Sequence, residues 1–349
     1  MKVVVSAGGS GGHIYPALSV INALPKSTEV IFVGRNNKEE KRLIGQEGIR
    51  YKALDIRGLN RKHIFKNFKT LYLYKKAYKE ALKFLKEEKV DMVLGTGSYV
   101  TLPVLKAAQK LNIKTFIHEQ NIKPGLSNRL SEKKCTKVFI SFPETEKYLK
   151  NKNVCLTGNP AGERAVNAKK ISKKILGFDN KPLIVFVMGS LGSITMNEKI
   201  KSMIKDMIKM PYNFLIITGK SKYFKEETYP NLKVIPYLDN LSGLMKNIDL
   251  LISRAGATTL SEISALGVPT ILVPSPYVSN NHQYKNALYF KNEDAAYLIK
   301  EDEFNKDLVI SLIDKIMKDE KELSKLKKNA SKLGTKDSAT KIINLMGVK

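Results

Sequence analysis

The chain has 349 residues, more than the about 250–300 at which a single hydrophobic core usually stops growing, so two domains are expected. Hydrophobic residues make up 43% of the chain, which excludes an intrinsically disordered protein, and two cysteines are too few for a disulfide framework. The 60 Lys and Arg residues outnumber the 33 Asp and Glu residues. The resulting net charge of +27 attracts polyanions such as nucleic acid, anionic lipid or phosphorylated substrates.

Neither a signal peptide nor a membrane-spanning helix is predicted from the sequence. The N-terminus reaches Gly8 after only a few apolar residues, which is too short for the core of a signal peptide. No apolar run approaches the about 18 residues of a membrane-spanning helix. We therefore expect a soluble or peripheral protein in a reducing compartment.

Short β-branched runs alternate with longer helical patterns in both halves of the chain. Near-continuous apolar strands that are separated by helices predict parallel sheets covered on both faces. The predicted strands are 3–6, 30–33, 90–94, 114–117 and 137–140 in the first half, and 183–188, 213–218, 233–235, 249–252 and 270–273 in the second.

A polar, basic stretch from about 161 to 182 separates the two halves and contains no strong strand. We predict an N-terminal domain over 1–161 and a C-terminal domain over 162–334. The remaining residues, 335–349, are predicted to form a helix that packs back on the N-terminal domain. Two doubly wound sheets that face one another would leave an interdomain cleft at the carboxyl ends of their strands, where such folds bind ligands.

A glycine-rich loop, AGGSGGHIYP at 7–16, follows the first predicted strand and opens a helix. Its four glycines let backbone N–H groups approach an anion, and a helix N-terminus favours negative charge, so a phosphate or diphosphate is expected there. The loop has neither the dinucleotide spacing nor the Gly-Lys-Ser/Thr of a P-loop, which argues against NAD and ATP. The alternative is a turn that serves only tight packing. His13 is a candidate general base or hydrogen-bond donor to phosphate, because the unperturbed pKa of histidine lies near neutrality.

A second polar cluster, His118-Glu119-Gln120-Asn121, directly follows the strand at 114–117. It therefore lies at the same edge of the first sheet as the glycine loop, and His118 and Glu119 compete with His13 for the role of base. The alternative is that Asn121 and Asn128 merely cap helices.

The second half has its own predicted anion site. Residues 253–259 follow a strand, and 260–267 form a helix that a glycine closes. Glu262, about one turn inside, can reach back toward a ligand at the helix N-terminus and suits paired ribose hydroxyls. Alternatively, it only favours the helix dipole, an effect of about 0.3–1 kcal/mol. The turn at Gly189-Ser190 is a further phosphate site or a structural turn.

No metal or other cofactor is expected. The sequence has no Asp-x-Asp at a strand end, and the acidic run at 301–303 is predicted to be solvated. Helix dipoles and backbone donors would then have to neutralise a leaving diphosphate.

The segment 56–85 mixes lysines with large apolar residues, including RKHIFKNFK at 61–69. Apolar insertion beside cations is what contact with an anionic membrane surface requires. Core packing of one face of a long helix explains the apolar residues equally well.

The ordered set of these motifs resembles the MurG family, the bacterial N-acetylglucosaminyltransferases that complete the lipid-linked disaccharide precursor of peptidoglycan. The resemblance covers nearly the whole chain. It rests on the GGSGGH loop at 8–13, GTGSY at 95–99, HEQN at 118–121, RAGA through Glu262 at 254–262, and NHQ with NA at 281–287.

The resemblance implies an α/β, GT-B fold with two facing Rossmann-like domains, UDP-N-acetylglucosamine in the second and a lipid-diphosphate acceptor in the first. Glu262 would hold the ribose and the backbone near Leu238 the uracil. The implied donor-binding residues also include Ser10, Gly11, Gly12, Asn121, Arg164, Ser190, Ala257, Thr258, Thr259 and Gln283.

The implied activity is inverting transfer of N-acetylglucosamine to the C4 hydroxyl of undecaprenyl-diphosphate-MurNAc-pentapeptide by a peripheral enzyme at the cytoplasmic face of the cell membrane. Its partners would be the UDP-GlcNAc donor, the lipid-linked acceptor and an anionic membrane surface. The alternatives are another glycolipid glycosyltransferase of this fold and a UDP-GlcNAc 2-epimerase. A nucleic-acid-binding protein is disfavoured, because the chain lacks Trp and interleaved aromatic and basic strands for base stacking.

Overall fold

The computed structural model describes residues 1–59, 65, 67–189, 191–221, 224 and 229–348. It divides into two compact units, the first formed by Met1–Ala161 with Asp337–Lys349 and the second by Gly162–Lys336. Both units are α/β and each is built on a parallel sheet, as the alternation of apolar runs and helices predicts.

The first unit contains a seven-stranded sheet in the order β3-β2-β1-β4-β5-β6-β7, in which all neighbouring strands are parallel. Its strands are β1 Lys2–Ser6, β2 Glu29–Arg35, β3 Arg50–Leu54, β4 Met92–Gly95, β5 Lys114–Glu119, β6 Lys137–Ile140 and β7 Val154–Leu156. Its first helices are α1 Gly11–Ala23, α2 Lys38–Gln46, α3 Asn67–Glu87, α4 Thr101–Lys110 and α5 Leu126–Ser131, with 3-10 turns at Glu132–Lys134 and Pro143–Tyr148.

Alternate residues of β1 point into two different cores, because successive side chains of a strand face opposite sides of its sheet. Val3 and Val5 belong to one buried cluster and Val4 to the other. The sheet is therefore covered on both faces, which is why its central strands are continuous apolar runs.

The second unit contains a six-stranded parallel sheet in the order β10-β9-β8-β11-β12-β13. Its strands are β8 Leu183–Val187, β9 Asn213–Ile217, β10 Leu232–Ile235, β11 Leu250–Ser253, β12 Thr270–Leu272 and β13 Tyr297–Leu298. Its helices are α6 Pro160–Asn167, which begins at the boundary, then α7 Ile194–Lys201, α8 Ile204–Met207, α9 Leu241–Met245, α10 Ala257–Leu266, α11 His282–Asn292, α12 Lys306–Lys318 and α13 Glu320–Leu333, with 3-10 turns at Lys173–Leu176 and Ser279–Asn281.

The last helix, α14 Ser338–Met346, belongs to the first unit. Ile342, Ile343 and Met346 lie in the buried cluster that also holds apolar residues of α1. The Lys137 ammonium donates to the carbonyl of Leu345 over 2.9 Å. The chain thus returns to its first unit by burying an amphipathic face.

Three strands were not predicted from the sequence, and all lie at or near sheet edges. β3 contains Arg50 and Lys52, β7 ends in an exposed Leu156, and β13 has two residues. Strands at an edge need no continuous apolar pattern, because one side and often one face remain in contact with water.

Candidate functional site

The order of strands reverses beside β1 in the first sheet, since β2 lies on one side of it and β4 on the other. Parallel α/β sheets bind ligands outside the carboxyl ends of strands at such a switch point. The glycine loop at 7–12 follows β1, and the GTGSY segment at 95–99 begins at the end of β4. Sequence motifs that are 83 residues apart therefore lie side by side.

The close packing of these two loops depends on Gly97, whose φ of +108° lies in the region that favours glycine. A Cβ added at Gly97 would lie 2.7 Å from Nδ1 of His13. The GTGSY loop thus leaves room for the His13 ring against its backbone.

A buried carboxylate that belongs to none of the sequence motifs anchors the glycine loop. Glu40 accepts hydrogen bonds from the backbone N–H of Gly9 at 2.9 Å and from Nε of Arg35 at 2.5 Å. One N–H group of the loop is therefore occupied. An anion would therefore bind at residues 10–12 at the start of α1, where first-turn N–H groups have no intrahelical partner.

His13 is half-buried on the first turn of α1. Its Nδ1 lies 3.0 Å from the carbonyl oxygen of Thr96 and 3.3 Å from Oε1 of Gln120. Both partners are acceptors, so the ring nitrogen that faces them carries a hydrogen and the basic lone pair of the neutral ring lies on Nε2.

His118 lies at the end of β5 with no exposed surface. Its Nε2 is 2.9 Å from the carbonyl oxygen of Gly158, and its Nδ1 is 3.1 Å from Nε2 of Gln120. Burial lowers the pKa of His118 to about 4, so the ring is neutral at physiological pH.

Glu119 uses its carboxylate to shape the loop that follows β5. One oxygen accepts from the backbone N–H of Asn121 at 2.9 Å. The other accepts from the N–H of Gly125 at 2.9 Å and from the amide of Asn128 at 2.8 Å. Neither asparagine acts as the helix cap considered above, since α5 begins after Gly125 and Asn128 lies inside it.

The second sheet has an equivalent switch point beside β8, whose neighbours are β9 and β11. The loop after β11 leads into α10, whose first residues are Ala257, Thr258 and Thr259. The cap residue Gly256 has no side chain that could accept hydrogen bonds from the first N–H groups of this helix. Oγ1 of Thr258 has no hydrogen-bond partner among the described residues. Backbone donors, a hydroxyl and the positive end of the helix dipole are thus gathered at one point.

Glu262 lies one turn into α10 and is buried. Its Oε1 accepts a hydrogen bond from the Ser242 hydroxyl at 3.0 Å and lies 3.4 Å from Nη2 of Arg164. Burial raises the pKa of Glu262, and the Arg164 charge and the Ser242 hydroxyl oppose that rise. Arg164 and Glu262, 98 residues apart, are therefore neighbours.

The remaining predicted donor residues occupy other loops of the second unit. Gln283, on the first turn of α11, accepts a hydrogen bond through Oε1 from the N–H of Ser275 at 2.8 Å. Leu238 is half-buried in the loop between β10 and α9. Ser190 lies outside the described residues.

The prediction of a solvated acidic run at 301–303 is wrong for its first member. Glu301 is only 7% exposed and lies 2.6 Å from Nη2 of Arg254. Nη1 of Arg254 donates to the carbonyl of Val273 at 3.1 Å. This pair joins the loops after β11, β12 and β13 just before α10, and only the tertiary structure reveals it because an acidic triplet resembles a surface run.

A cavity of about 470 Å³ in the second unit is lined by Tyr277, Tyr284 and Glu301, among others. None of the predicted donor residues in the described part of the chain lines it. The residues that line the cavity are thus different from those at the start of α10.

The described ranges of the chain contain no helix that is both long and apolar enough to span a membrane. They also contain no group of three or more His, Cys, Asp or Glu side chains arranged to hold a metal ion.

Both halves of the chain match domains of one protein family. Residues 3–140 match the glycosyltransferase family 28 N-terminal domain and residues 183–342 match the family 28 C-terminal domain. The UDP-N-acetylglucosamine--N-acetylmuramyl-(pentapeptide) pyrophosphoryl-undecaprenol N-acetylglucosamine transferase of Bacillus licheniformis is 40% identical, over 99% of this chain and 98% of that protein.

Among solved structures, MurG of Acinetobacter baumannii is 26% identical, with a TM-score of 0.80 and 99% of each chain covered. UDP-GlcNAc 2-epimerase of Neisseria meningitidis bound to UDP-GlcNAc covers 100% of both chains with a TM-score of 0.68, but at 13% identity this similarity concerns the fold alone. The resemblance inferred from the motifs is confirmed. With both domain matches in order and 40% identity over nearly its whole length, the chain belongs to glycosyltransferase family 28 and, within it, to the MurG family.

Proposed function

We propose that this enzyme transfers N-acetylglucosamine from UDP-GlcNAc to the C4 hydroxyl of undecaprenyl-diphosphate-MurNAc-pentapeptide, forming the lipid-linked disaccharide of peptidoglycan synthesis. The observation on which this rests is the full-length similarity to transferases that bear this activity in their names. The α10 site supports it, since a helix N-terminus followed one turn later by a buried carboxylate suits a nucleoside diphosphate.

The donor is proposed to bind at α10 in the second unit. N–H groups at 257–259 and the hydroxyl of Thr258 would hold the diphosphate, and the Glu262 carboxylate would accept hydrogen bonds from the ribose. The backbone near Leu238 would contact uracil and Gln283 the sugar. Arg164, beside Glu262, adds a positive charge to the helix dipole as negative charge develops on the leaving UDP.

The geometry favours His13 as the general base over the two other candidates. His118 has no exposed surface and both of its ring nitrogens face partners, while both oxygens of Glu119 accept hydrogen bonds from the loop at 121–128. His13 is half-buried, and its acceptor contacts at Nδ1 place the basic lone pair on Nε2. A general base must reach the proton that it removes, so the greater exposure of His13 supports it among the three.

In the proposed reaction, Nε2 of His13 accepts the proton of the C4 hydroxyl as O4 forms a bond to the anomeric carbon. The bond between that carbon and the diphosphate oxygen breaks in the same displacement, so UDP leaves and the configuration inverts. Asn121 and residues 10–12 are proposed to contact the donor, as the family resemblance implies.

The enzyme is further proposed to bind the cytoplasmic face of the membrane through α3 and the residues before it. Buried residues at 70, 73, 77, 81 and 85 account for one face of α3. Outside that face, Phe68 is 75% exposed, Tyr72 65% and Leu71 54%, with Lys69, Lys75, Lys76 and Lys79 exposed nearby. Residues 60–64 and 66 of this segment lie outside the described residues. Apolar side chains among lysines suit an anionic lipid surface.

Vesicle sedimentation tests the membrane contact. Changing Phe68, Leu71 and Tyr72 together to serine should weaken binding to phosphatidylglycerol vesicles at least about tenfold, because each apolar side chain contributes about 1.5–3 kcal/mol when fully buried. Ile175→Ser, which alters an apolar residue that is 78% exposed in the second unit, is the matched control. Equal binding by the triple variant and the control would contradict this surface.

The activity is tested by UDP release from UDP-GlcNAc, with and without a short-chain analogue of the lipid-diphosphate acceptor and without added metal. We expect acceptor-dependent release and a disaccharide product. UDP release without acceptor, together with formation of the 2-epimer, would favour an epimerase. Release only with a diacylglycerol acceptor would favour a different glycolipid transferase.

A further inference from the structure

A continuous chain of hydrogen bonds runs beneath the glycine loop of the first unit, from the carbonyl of Gly158 to the ring of His13. His118 Nε2 lies 2.9 Å from the Gly158 oxygen and 3.5 Å from the Ser141 hydroxyl. His118 Nδ1 lies 3.1 Å from Nε2 of Gln120, and Oε1 of Gln120 lies 3.3 Å from Nδ1 of His13. These hydrogen bonds form a relay that connects His13 of the glycine loop with His118 of the HEQN motif.

The direction of each hydrogen bond follows from its neighbour. A carbonyl only accepts, so His118 carries its hydrogen on Nε2. The ring is neutral because it is fully buried, so Nδ1 must accept and the Gln120 group that faces it must be the NH₂. The amide oxygen of Gln120 then faces His13.

The same orientation of Gln120 is required independently by Thr96. The carbonyl oxygen of Thr96 lies 2.6 Å from Nε2 of Gln120, so a reversed amide would bring two acceptor oxygens together. Two acceptors, the Thr96 carbonyl and His118 Nδ1, therefore fix the amide from one side. Nδ1 of His13 in turn faces the Thr96 carbonyl and the Gln120 oxygen, both acceptors.

We infer that Gln120, oriented by His118 and Thr96, is a positioning residue that holds His13 in the tautomer with hydrogen on Nδ1 and the basic lone pair on Nε2. The inference deepens the proposed function, since it explains how His13 is prepared to accept a proton. His118 acts through Gln120 and does not itself touch the reacting hydroxyl.

The tautomers can be observed without any activity measurement. The chain has four histidines, so long-range proton–nitrogen NMR spectra of histidine-labelled enzyme are simple, and a His13→Gln variant assigns the His13 signals. We expect His13 to show the pattern of the Nδ1–H tautomer and His118 that of the Nε2–H tautomer in the wild-type enzyme. An Nε2–H pattern for His13 would overturn the inference without the need for a Gln120 variant.

Two variants of Gln120 test the relay further. Gln120→Met keeps the size of the side chain but removes both functions of the amide, so the Nδ1–H population of His13 should fall and kcat should drop about fivefold. That is a small part of the 10²–10⁴ that a general base contributes, because the Thr96 carbonyl still faces His13. Gln120→Glu keeps an acceptor toward His13 but turns a second acceptor oxygen toward Thr96 and His118, so His13 should retain its Nδ1–H pattern while His118 loses the neutral Nε2–H pattern.

The matched control is Gln109→Met, which removes an amide of the same unit that donates to the Ser131 carbonyl and lies outside the relay. If Gln120→Met left both the His13 pattern and kcat at the values of this control, the positioning role would be refuted. If the pattern shifted and kcat did not change, the relay would stand, and the assignment of His13 as general base would fail instead.

Discussion

Replacing Glu262 by glutamine tests the donor site most directly. The carboxylate already accepts the Ser242 hydroxyl through Oε1, and Arg164 lies beside the same oxygen. Glutamine retains one acceptor oxygen and the shape of the side chain, so the change removes about one charge-assisted hydrogen bond to the ribose. Such a bond contributes about 1.5–3 kcal/mol, which corresponds to a rise of about 10- to 150-fold in KM for UDP-GlcNAc.

Steady-state UDP release over a range of donor concentrations measures this effect. The value of kcat should stay within about threefold of wild type, because the ribose contact is made equally in the ground state and the transition state. Glu303→Gln, which alters an exposed carboxylate of the same unit, is the matched control and should leave KM unchanged.

The dependence of KM on pH provides the refuting result. Because burial raises the pKa of Glu262, the carboxylate of the free enzyme takes up its proton at a higher pH than an ordinary glutamate. KM of the wild-type enzyme should therefore rise as the pH falls through that raised pKa, while KM of the glutamine variant should stay flat there. Parallel profiles, or a KM unchanged by the substitution, would refute the assignment of Glu262 to the ribose.

Two further predictions concern stability. Glu301→Gln leaves the buried Arg254 charge without its carboxylate and should destabilise the enzyme by about 3–5 kcal/mol, measured by urea unfolding against Glu303→Gln; an unchanged midpoint would contradict it. Between pH 6.5 and about 4 the unfolded chain binds a proton at His118 that the folded chain does not. The free energy of unfolding should therefore decrease by up to about 3 kcal/mol as the pH falls through this range. His118→Gln should flatten that slope in pH-dependent unfolding, and an unaltered slope would exclude this origin.

The central strands could be predicted because each is buried on both faces and so must be apolar without interruption. β8, for example, is buried at all five positions, and the sequence shows it as one apolar run. The edge strand β3 escaped prediction because Arg50 and Lys52 interrupt its pattern, and its pairing with β2 is what makes it a strand. Local pattern identifies a strand only where burial leaves no choice of residue.

The candidate site, like the fold, could be predicted from the sequence only in part. The glycine loop, the HEQN cluster and the helix that begins at Ala257 could be located from the sequence, because glycine, helix starts and polar strand ends have local signatures. The roles of the individual residues within these motifs could not be predicted from the sequence. His118 and Glu119 stand next to each other in a motif typical of catalysis, yet His118 is fully buried and Glu119 shapes a loop.

By itself, the sequence determined the two α/β domains, the family, and the loops at which ligands are expected, since these depend on residues close together in the chain. The tertiary structure decided which groups meet across long separations: Arg164 with Glu262, Arg254 with Glu301, and His13 with Gln120 and Thr96. Hydrogen-bond direction and pKa depend on burial and on such partners. A list of residues therefore identifies the candidates for proton transfer, and only their surroundings distinguish among them.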